Sequence, residues 1–354
     1  MSETEYDVAV VGGGPAGLTA ALYTTRLGLD TALVDRGGGR AAMMRDTHNV
    51  IGVTEETSGV EFLETAKKQV ESYGADVHRE FVSAVRGEAG RFRLETDAAT
   101  YGARRVVLAT GFADEDPEPP LPPTGRGLHY CLHCDAYMFV DEPVFVMGTG
   151  DSAAYVAMIM LNFTDDVDLL TRGDDPAWSE DTAAMLDAHP VDVVHEDIEG
   201  VTRDDDGWLE SFTFTDGTVR EYRGGFPMYG SDYHTDLHEQ LGCEITDDGT
   251  VAVDDHGRTS VDGVYAVGDV TPGHNQIPVA MGQGAKAGID IHMDLRAFPR
   301  SLDALDERGP VEDGEVPAVS RELLATAVAH NGHAAGPRTD TGTDTGTDTA
   351  AGDD

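Results

Sequence analysis

The stretch "YDVAVVGGGPAGLTAALYTTRLGLDTALVDR", Tyr6 to Arg36, decides the reading of this chain. A short β-rich run enters Gly12-x-Gly14-x-x-Gly17, a helical stretch follows, and a second apolar run, "TALVD", ends in Asp35. Each glycine has its own physical reason: Gly12 for a tight turn, Gly14 so that backbone can approach a pyrophosphate, Gly17 for close packing of helix on strand. The anion then lies on the helix N-terminus, where unpaired N–H groups and the helix dipole favour it. Asp35 follows Gly12 by 23 residues, near the spacing at which a carboxylate reaches a ribose hydroxyl. Pro15 and Ala16 inside the loop, and Arg36 beside the acid, complete this candidate cofactor site.

The same unit returns in "VFVMGTGDSAAYVAMIMLNFTDDVDLLTR", Val144 to Arg172. Gly148, Gly150, Thr171 and Arg172 stand at one constant offset, 136 residues, from Gly12, Gly14, Asp35 and Arg36. Two dinucleotide-binding folds are therefore expected. The second has Ala153, an accepted residue, in place of Gly17, and Thr171 in place of Asp35. Without that acid nothing favours the free ribose diol of NAD, whereas Arg172 could face a 2′-phosphate. Gly148, Gly150, Asp151, Ser152 and Arg172 are thus candidates for an NADP site; the alternative is a degenerate fold kept for packing.

A chain of 354 residues with 40% hydrophobic content can bury the cores of two domains. Its 66 acidic and 24 basic residues give a net charge of −42. Self-repulsion on that scale is tolerable when screened, and the Debye length falls to about 3 Å at 1 M salt. The composition looks like that of a cytosolic protein from an extreme halophile. The acids are spread along the whole chain and no basic patch faces them, so nucleic acid is disfavoured as a partner. "MSETEY" passes into the first apolar run with no basic n-region or cleavage site. Apolar segments broken by Gly and Pro fall short of the roughly 20 residues that span a bilayer. A soluble cytoplasmic protein with no membrane partner is expected.

Between the repeats, "RRVVLATGF" reads as a strand closing on Gly111, and the acidic, Pro-rich "ADEDPEPPLPPTG" as a linker. Later, "GRTSVDGVYAVGDV" is another strand, ending in Gly268-Asp269, and "PVAMGQGAKAGIDIHMDL" a helix. The expected architecture is α/β, with two three-layer Rossmann-like domains, the second inserted into the first. Residues 1–122 and 236–298 would form the first domain and 123–235 the second. Residues 299–354 form an acidic extension with one short helix, "SRELLATAVAH", and a low-complexity tail from about 331 that cannot bury a core.

Two of the three cysteines lie in "LHYCLHCDAYMF", Leu128 to Phe139. Their Cys-x-x-Cys spacing serves metal sites and redox dithiols alike, and in a reducing cytosol either outranks a structural staple.

Taken together, these residues resemble the low-molecular-weight thioredoxin reductase family over about 1–298, in domain order as well as motifs. The resemblance implies that the first fold binds FAD, and that the inserted fold binds NADPH and carries the redox disulfide. Gly12, Gly14, Gly17 and Asp35 would hold the ADP half of FAD. "HNVIG", with Asn49 and Gly52, looks like the flavin-contacting loop, and "ATG" ending at Gly111 matches another FAD-side strand end. Asp269 of Gly268-Asp269 would bind the ribityl and pyrophosphate region, and Gln276 would line the isoalloxazine. By the same resemblance Cys134 would face the flavin, Cys131 would attack the substrate disulfide, and Asp135 would exchange the proton of the departing thiolate. The partner would be a thioredoxin-like protein disulfide or a small dithiol, and the chain a homodimer.

A zinc site would need His129 and His133 to join the cysteines, but one short segment rarely closes a tetrahedron, and no second pair follows at finger-like spacing. The two histidines are expected to be exposed or to modulate thiol pKa locally, and Cys243 to be a buried core residue.

Two departures bear on the electron donor. NADPH-using members carry His-Arg-Arg after the second fold; here the text is "LTRGDDPAW", with Gly173 for the second Arg and two acids following. Several segments are also similar to reductase-like dithiol oxidases that use oxygen, although that group tends to have His after the second Cys where this chain has Asp135. NADPH, NADH, reduced ferredoxin and a deazaflavin all remain open as donors, with a dithiol oxidase or a redox-sensing flavoprotein without turnover as alternatives.

Overall fold

The computed structural model describes residues 3–88, 90–117, 121, 124–312, 315 and 325–326. The expected break at 122–123, most of the short helix at 320–330 and the tail from 331 lie outside them.

The first glycine motif folds as the pattern predicts. Strand β1 (Glu3–Val11) enters the loop, helix α1 (Pro15–Arg26) leaves it, and β2 (Thr31–Val34) lies parallel to β1. Helix α1 has no side-chain cap; it starts on extended Gly14 with Pro15 in its first turn, where a missing N–H costs nothing, and ends with Arg26 at the negative pole. All four residues of β2 are buried. A buried Val or Leu contributes about 1.5–3 kcal/mol, so burial on both faces holds this short strand. Helix α2 (Gly59–Ser72) starts at a capping box, Ser58 with Glu61, written in the sequence as "SGVE". Then come β3 (Asp76–His78), β4 (Ala84–Glu88), β5 (Arg91–Glu95), β6 (Thr100–Leu108) and the short β7 (Phe112–Asp114).

The second unit begins with α3 (Leu132–Asp135), a single turn, and repeats the scheme. Strand β8 (Val144–Met147), helix α4 (Asp151–Met160) and β9 (Val167–Leu170) match the second motif. Helix α5 (Glu180–Asp187), strands β10 (Asp192–Val194), β11 (Ile198–Arg203), β12 (Leu209–Phe214), β13 (Val219–Glu221), β14 (Gly224–Pro227) and β15 (Ser231–Tyr233) follow. The chain then forms α6 (Asp236–Leu241), β16 (Val264–Ala266), α7 (Ile277–Leu295) and α8 (Leu302–Arg308).

The sheets show the insertion. The first has the order β3-β2-β1-β6-β5-β4, and β16 returns to pair parallel with β6, after every strand of the second unit. The second sheet, β10-β9-β8-β14, is all parallel, and β11-β12-β13 form a separate antiparallel meander. Strands β7 and β15, where the chain leaves and returns, pair antiparallel.

In both units the parallel sheet lies between a helical layer and an antiparallel ribbon. Val8 and Val10 of β1 pack with α1 and α7, while Ala9 and Val11 face β5 and the α6 segment. In the second unit Val144 and Val146 pack with α4, while Phe145 and Met147 face Phe212 and Phe214 of the meander. Alternation along each strand therefore feeds two cores, one per face. Among the described residues no helix is long and apolar enough to cross a membrane.

Candidate active site

A cleft of ≈ 440 Å³ runs from the first glycine loop to the dithiol. At its start Gly12 has φ +102°, and a Cβ there would come 2.3 Å from the Ala109 carbonyl oxygen. Gly17 sits behind the loop, where a Cβ would meet Gly12 O at 2.0 Å. Gly14 has no atom within 4 Å of that position, so its backbone opens onto the cleft. Pro15 and Ala16 line the cleft beside it. Asp35, carried to the rim by β2, accepts a 2.9 Å hydrogen bond from Gly13 N–H through Oδ1. Next to it, Arg36 lies over the Phe81 ring at 5.8 Å.

Further along, Gly111, Gly268 and Asp269 line the same cleft. The Asp269 carboxylate makes no hydrogen bond or ion pair among the described residues; burial raises its pKa, and Arg40 offsets this only in part. A half-buried acid whose carboxylate has no partner among the described residues, in the same cleft as the open backbone of Gly14, fits the polar parts of a dinucleotide. Arg40 holds Asp114 at 2.8 Å and donates to Tyr130 O at 3.0 Å, tying the wall to the dithiol segment. Gly52, in contrast, is exposed and outside the lining.

Cys131 and Cys134 form a disulfide in the wall of this cleft, with their Cα atoms 5.2 Å apart. Cys131 is the N-cap of α3, and its Sγ accepts from Cys134 N–H at 3.1 Å. Gln276 donates through Nε2 to Cys131 Sγ at 3.4 Å and lies 3.9 Å from Cys134 Sγ. Its Oε1 accepts from Asn49 at 2.8 Å, which leaves Nε2 as the amide atom that meets Cys131. Residues 49, 131 and 276 thus meet although far apart in sequence. Asp135 lies between His129, 2.9 Å away, and His48, 3.6 Å away.

The histidine expectation divides: His133 is exposed, but His129 is buried at 5% exposure and bonded to Asp135. Among the described residues no group of three or more His, Cys, Asp or Glu could hold a metal. Cys243 is buried, and burial raises its thiol pKa.

The second glycine loop is furnished differently. Gly148 has φ +142°, and Gly150 is as open as Gly14, but neither lines the cleft. Asp151 and Ser152 are exposed. The Asp151 carboxylate accepts from Ser179 N–H at 2.7 Å, which lowers its pKa. Thr171 is buried against His195 at 3.3 Å. Arg172 has φ +55° and a side chain only 5% exposed, and its Nε donates to Asp197 at 3.3 Å. Its guanidinium already has a carboxylate, so the residues here do not fit a 2′-phosphate as they stand.

His48, Arg40 and Trp208 are cleft residues that the motifs did not single out. His48 opens the "HNVIG" loop, of which the resemblance marked only Asn49 and Gly52, and its pairing with Asp135, 87 residues away, follows from no spacing rule.

A cleft that joins a dinucleotide loop to a redox disulfide defines a flavin-dependent disulfide oxidoreductase. The family profile described as pyridine nucleotide-disulphide oxidoreductase matches residues 6–284. The chain is 32% identical over 297 residues to a thioredoxin reductase of Treponema pallidum, covering 80% of this chain and 95% of that one. It is 31% identical over 307 residues to a thioredoxin reductase of Peptoclostridium acidaminophilum, with the same coverage of 80% and 95%. The crystal structure of thioredoxin reductase from Streptococcus pyogenes superposes with a TM-score of 0.77 at 29% identity, covering 84% of this chain and all of that one. The chain belongs to the pyridine nucleotide-disulphide oxidoreductases, within them to the low-molecular-weight thioredoxin reductase family.

Proposed function

We propose that the chain passes electrons from bound FAD to the disulfide of a small thioredoxin-like protein through Cys131 and Cys134. The observation that carries this reading is the disulfide's position in the wall of the cleft that starts at Gly14 and contains Asp269 and Gln276. Bound FAD supplies a two-electron carrier able to hand an electron pair to a disulfide.

Gly12, Gly14, Pro15 and Ala16 would hold the pyrophosphate against the α1 N-terminus, with Gly17 packing behind them. Asp35 and Arg36 would hold the adenosine end. Gly111, Gly268 and Asp269 would bind the ribityl region, and Asn49 and Gln276 the edge of the isoalloxazine. Once the dithiol is reduced, the Cys131 thiolate attacks the partner's disulfide, forming a mixed disulfide and releasing one partner thiolate. Cys134 then attacks Cys131 Sγ, which restores the internal disulfide and frees the reduced partner. Asp135 gives and takes the proton.

We read 1–122 with 236–298 as the FAD domain, 123–235 as the inserted domain and 299–354 as an extension. Exposed apolar side chains on α1 and α7, among them Tyr23, Ile289 and Met293, support a homodimer. A cytoplasmic setting follows from the thiol chemistry. The pairing of Arg172 with Asp197 favours a donor without a 2′-phosphate, such as NADH, reduced ferredoxin or a deazaflavin, over NADPH.

The test is anaerobic mixing of the FAD-loaded protein with each donor at multimolar salt, followed by flavin absorbance and then by thiol release from a thioredoxin-like protein. Bleaching by one of these donors, with NADPH no better than NADH, is expected. Bleaching by a dithiol alone, with peroxide release in air, would replace the reductase reading by an oxidase.

A further inference from the structure

The two oxygens of Asp135 have different neighbours. Oδ2 lies 2.9 Å from His129 Nδ1, a hydrogen-bond length, and Oδ1 lies 3.6 Å from His48 Nδ1, within ion-pair reach but too far for a hydrogen bond. Among the described residues only these two histidines pair with it. The cleft wall around them also carries Arg40, paired with Asp114, then Arg45, Asp46 and Asp269, and the two cysteines themselves.

The histidines differ in fixity. The backbone N–H of His129 donates to Gly225 O at 2.9 Å, and its buried ring stands edge-on to Phe139 at 5.2 Å. Whenever Asp135 is ionised it can only accept, so the 2.9 Å contact then puts the hydrogen on Nδ1 of His129 and leaves Oδ1 as the oxygen that can take up and give a proton. His48 comes from the first unit, in the loop before α2, and its side chain is 32% exposed. It therefore has water on one side and Asp135 on the other.

We propose that the two histidines divide the handling of Asp135: His129 holds the carboxylate by Oδ2, and His48, by closing its 3.6 Å gap to hydrogen-bond length, moves protons between water and Oδ1. Both are positioning residues that act through Asp135, and the inference rests on the disulfide-exchange reading above. Opening the disulfide is S–S + 2 e⁻ + 2 H⁺ → 2 SH. The electron pair and one proton come from the reduced flavin, which returns to its oxidised form. The other proton comes from Asp135 and is replaced from water by way of His48. Because His48 belongs to the first unit and His129 to the second, any movement that takes the dithiol off the cleft separates Asp135 from His48 but not from His129.

The experiment is anaerobic stopped-flow measurement of electron transfer from prereduced flavin to the disulfide in the holoenzyme, from about pH 5 to 9 across the histidine range. Asp135→Asn should slow the step about 100-fold, the scale of one lost general acid. His48→Gln should slow it about tenfold at neutral pH and flatten the pH profile of the step. His129→Asn, which keeps a donor, should retain more of the rate than His129→Phe. As a readout independent of the flavin, iodoacetamide alkylation of the reduced dithiol should keep its wild-type pH midpoint in His48→Gln, because that residue acts on proton delivery and not on the thiols. A His48→Gln profile that superposes on wild type overturns the relay while leaving the enzyme intact. A wild-type disulfide that takes no electrons from the flavin at any pH overturns the parent reading instead. His48 is exposed, so its variant remains decisive if the buried His129 variants fail to fold.

Discussion

At the first glycine loop Gly14 opens onto the cleft and Asp35 bonds Gly13 at 2.9 Å; at the second, Gly150 is equally open, but Thr171 turns to His195 and Arg172 to Asp197. The backbone device is the same in both. What differs is the residue delivered by the end of the second strand, which is where a dinucleotide fold selects its ligand. A guanidinium that is 5% exposed and already paired must leave Asp197 before it can grip a phosphate, and salt weakens any such exchange. One fold can therefore be kept as a cofactor site and its copy as a differently equipped carrier of the dithiol.

The comparison is broken most severely at the dithiol that joins the two units. Cys134→Ser should lower thioredoxin-like disulfide reduction at least about 1,000-fold while leaving FAD content near stoichiometric, read from flavin absorbance. Unchanged turnover would mean that the two units are not joined by this disulfide.

The first unit also carries an acid-sensitive element beneath its sheet. His238 on α6 is fully buried, neither ring nitrogen is within hydrogen-bond geometry of a partner among the described residues, and burial, opposed in part by the nearby Leu108 and Thr235 backbone, lowers its pKa from 6.5 to about 4. The folded protein keeps the imidazole neutral while the unfolded chain takes up the proton near 6.5. Stability is thus fully present above pH 6.5 and falls as the pH drops toward 4, by about 3 kcal/mol in all. Denaturant melts of wild type and His238→Leu across this range should show a shallower pH slope in the variant, and equal slopes would remove His238 as the cause.

The glycines give a paired test. Gly14→Ala and Gly150→Ala both place a methyl in open space at negative φ, so each should change stability by less than about 0.5 kcal/mol. Gly14→Ala should nevertheless weaken FAD binding about 100-fold, because the methyl occupies the side that faces the pyrophosphate. Gly150→Ala should leave FAD content untouched, and a rise in the donor KM there would show that the second loop does bind a nucleotide.

The smallest effect is expected at Arg172. Asp197→Asn frees the guanidinium, so the ratio of kcat/KM for NADPH to that for NADH should rise a few-fold, on the order of 1 kcal/mol, at low salt and less at high salt. An unchanged ratio would mean that Asp197 does not hold the site closed.

Much of this was legible along the chain because it rests on local rules. Glycine spacing and the strand-to-helix transitions at Gly14 and Gly150 each concern residues a few positions apart. The constant offset between the motifs exposed the repeat, and Cys-x-x-Cys with Asp135 marked the dithiol. Local pattern ended where side chains had to choose partners. Arg172 read as a phosphate ligand because nothing near it in sequence announces Asp197, 25 residues on in the loop between β10 and β11. Whether His129 is exposed or a local modulator of the thiols stayed open in the sequence, because its burial depends on Phe139 and on Phe226 of β14.

By itself the sequence determined two dinucleotide folds, a dithiol between them and a strongly acidic surface, since periodicity, glycine stereochemistry and charge are carried by neighbouring residues. The tertiary structure alone decided that Gln276 bonds Asn49 and Cys131 directly, that His48 faces Asp135, and that Arg172 is already engaged. Those contacts close loops of 25 to 227 residues, and the packing that closes them has no signature along the chain.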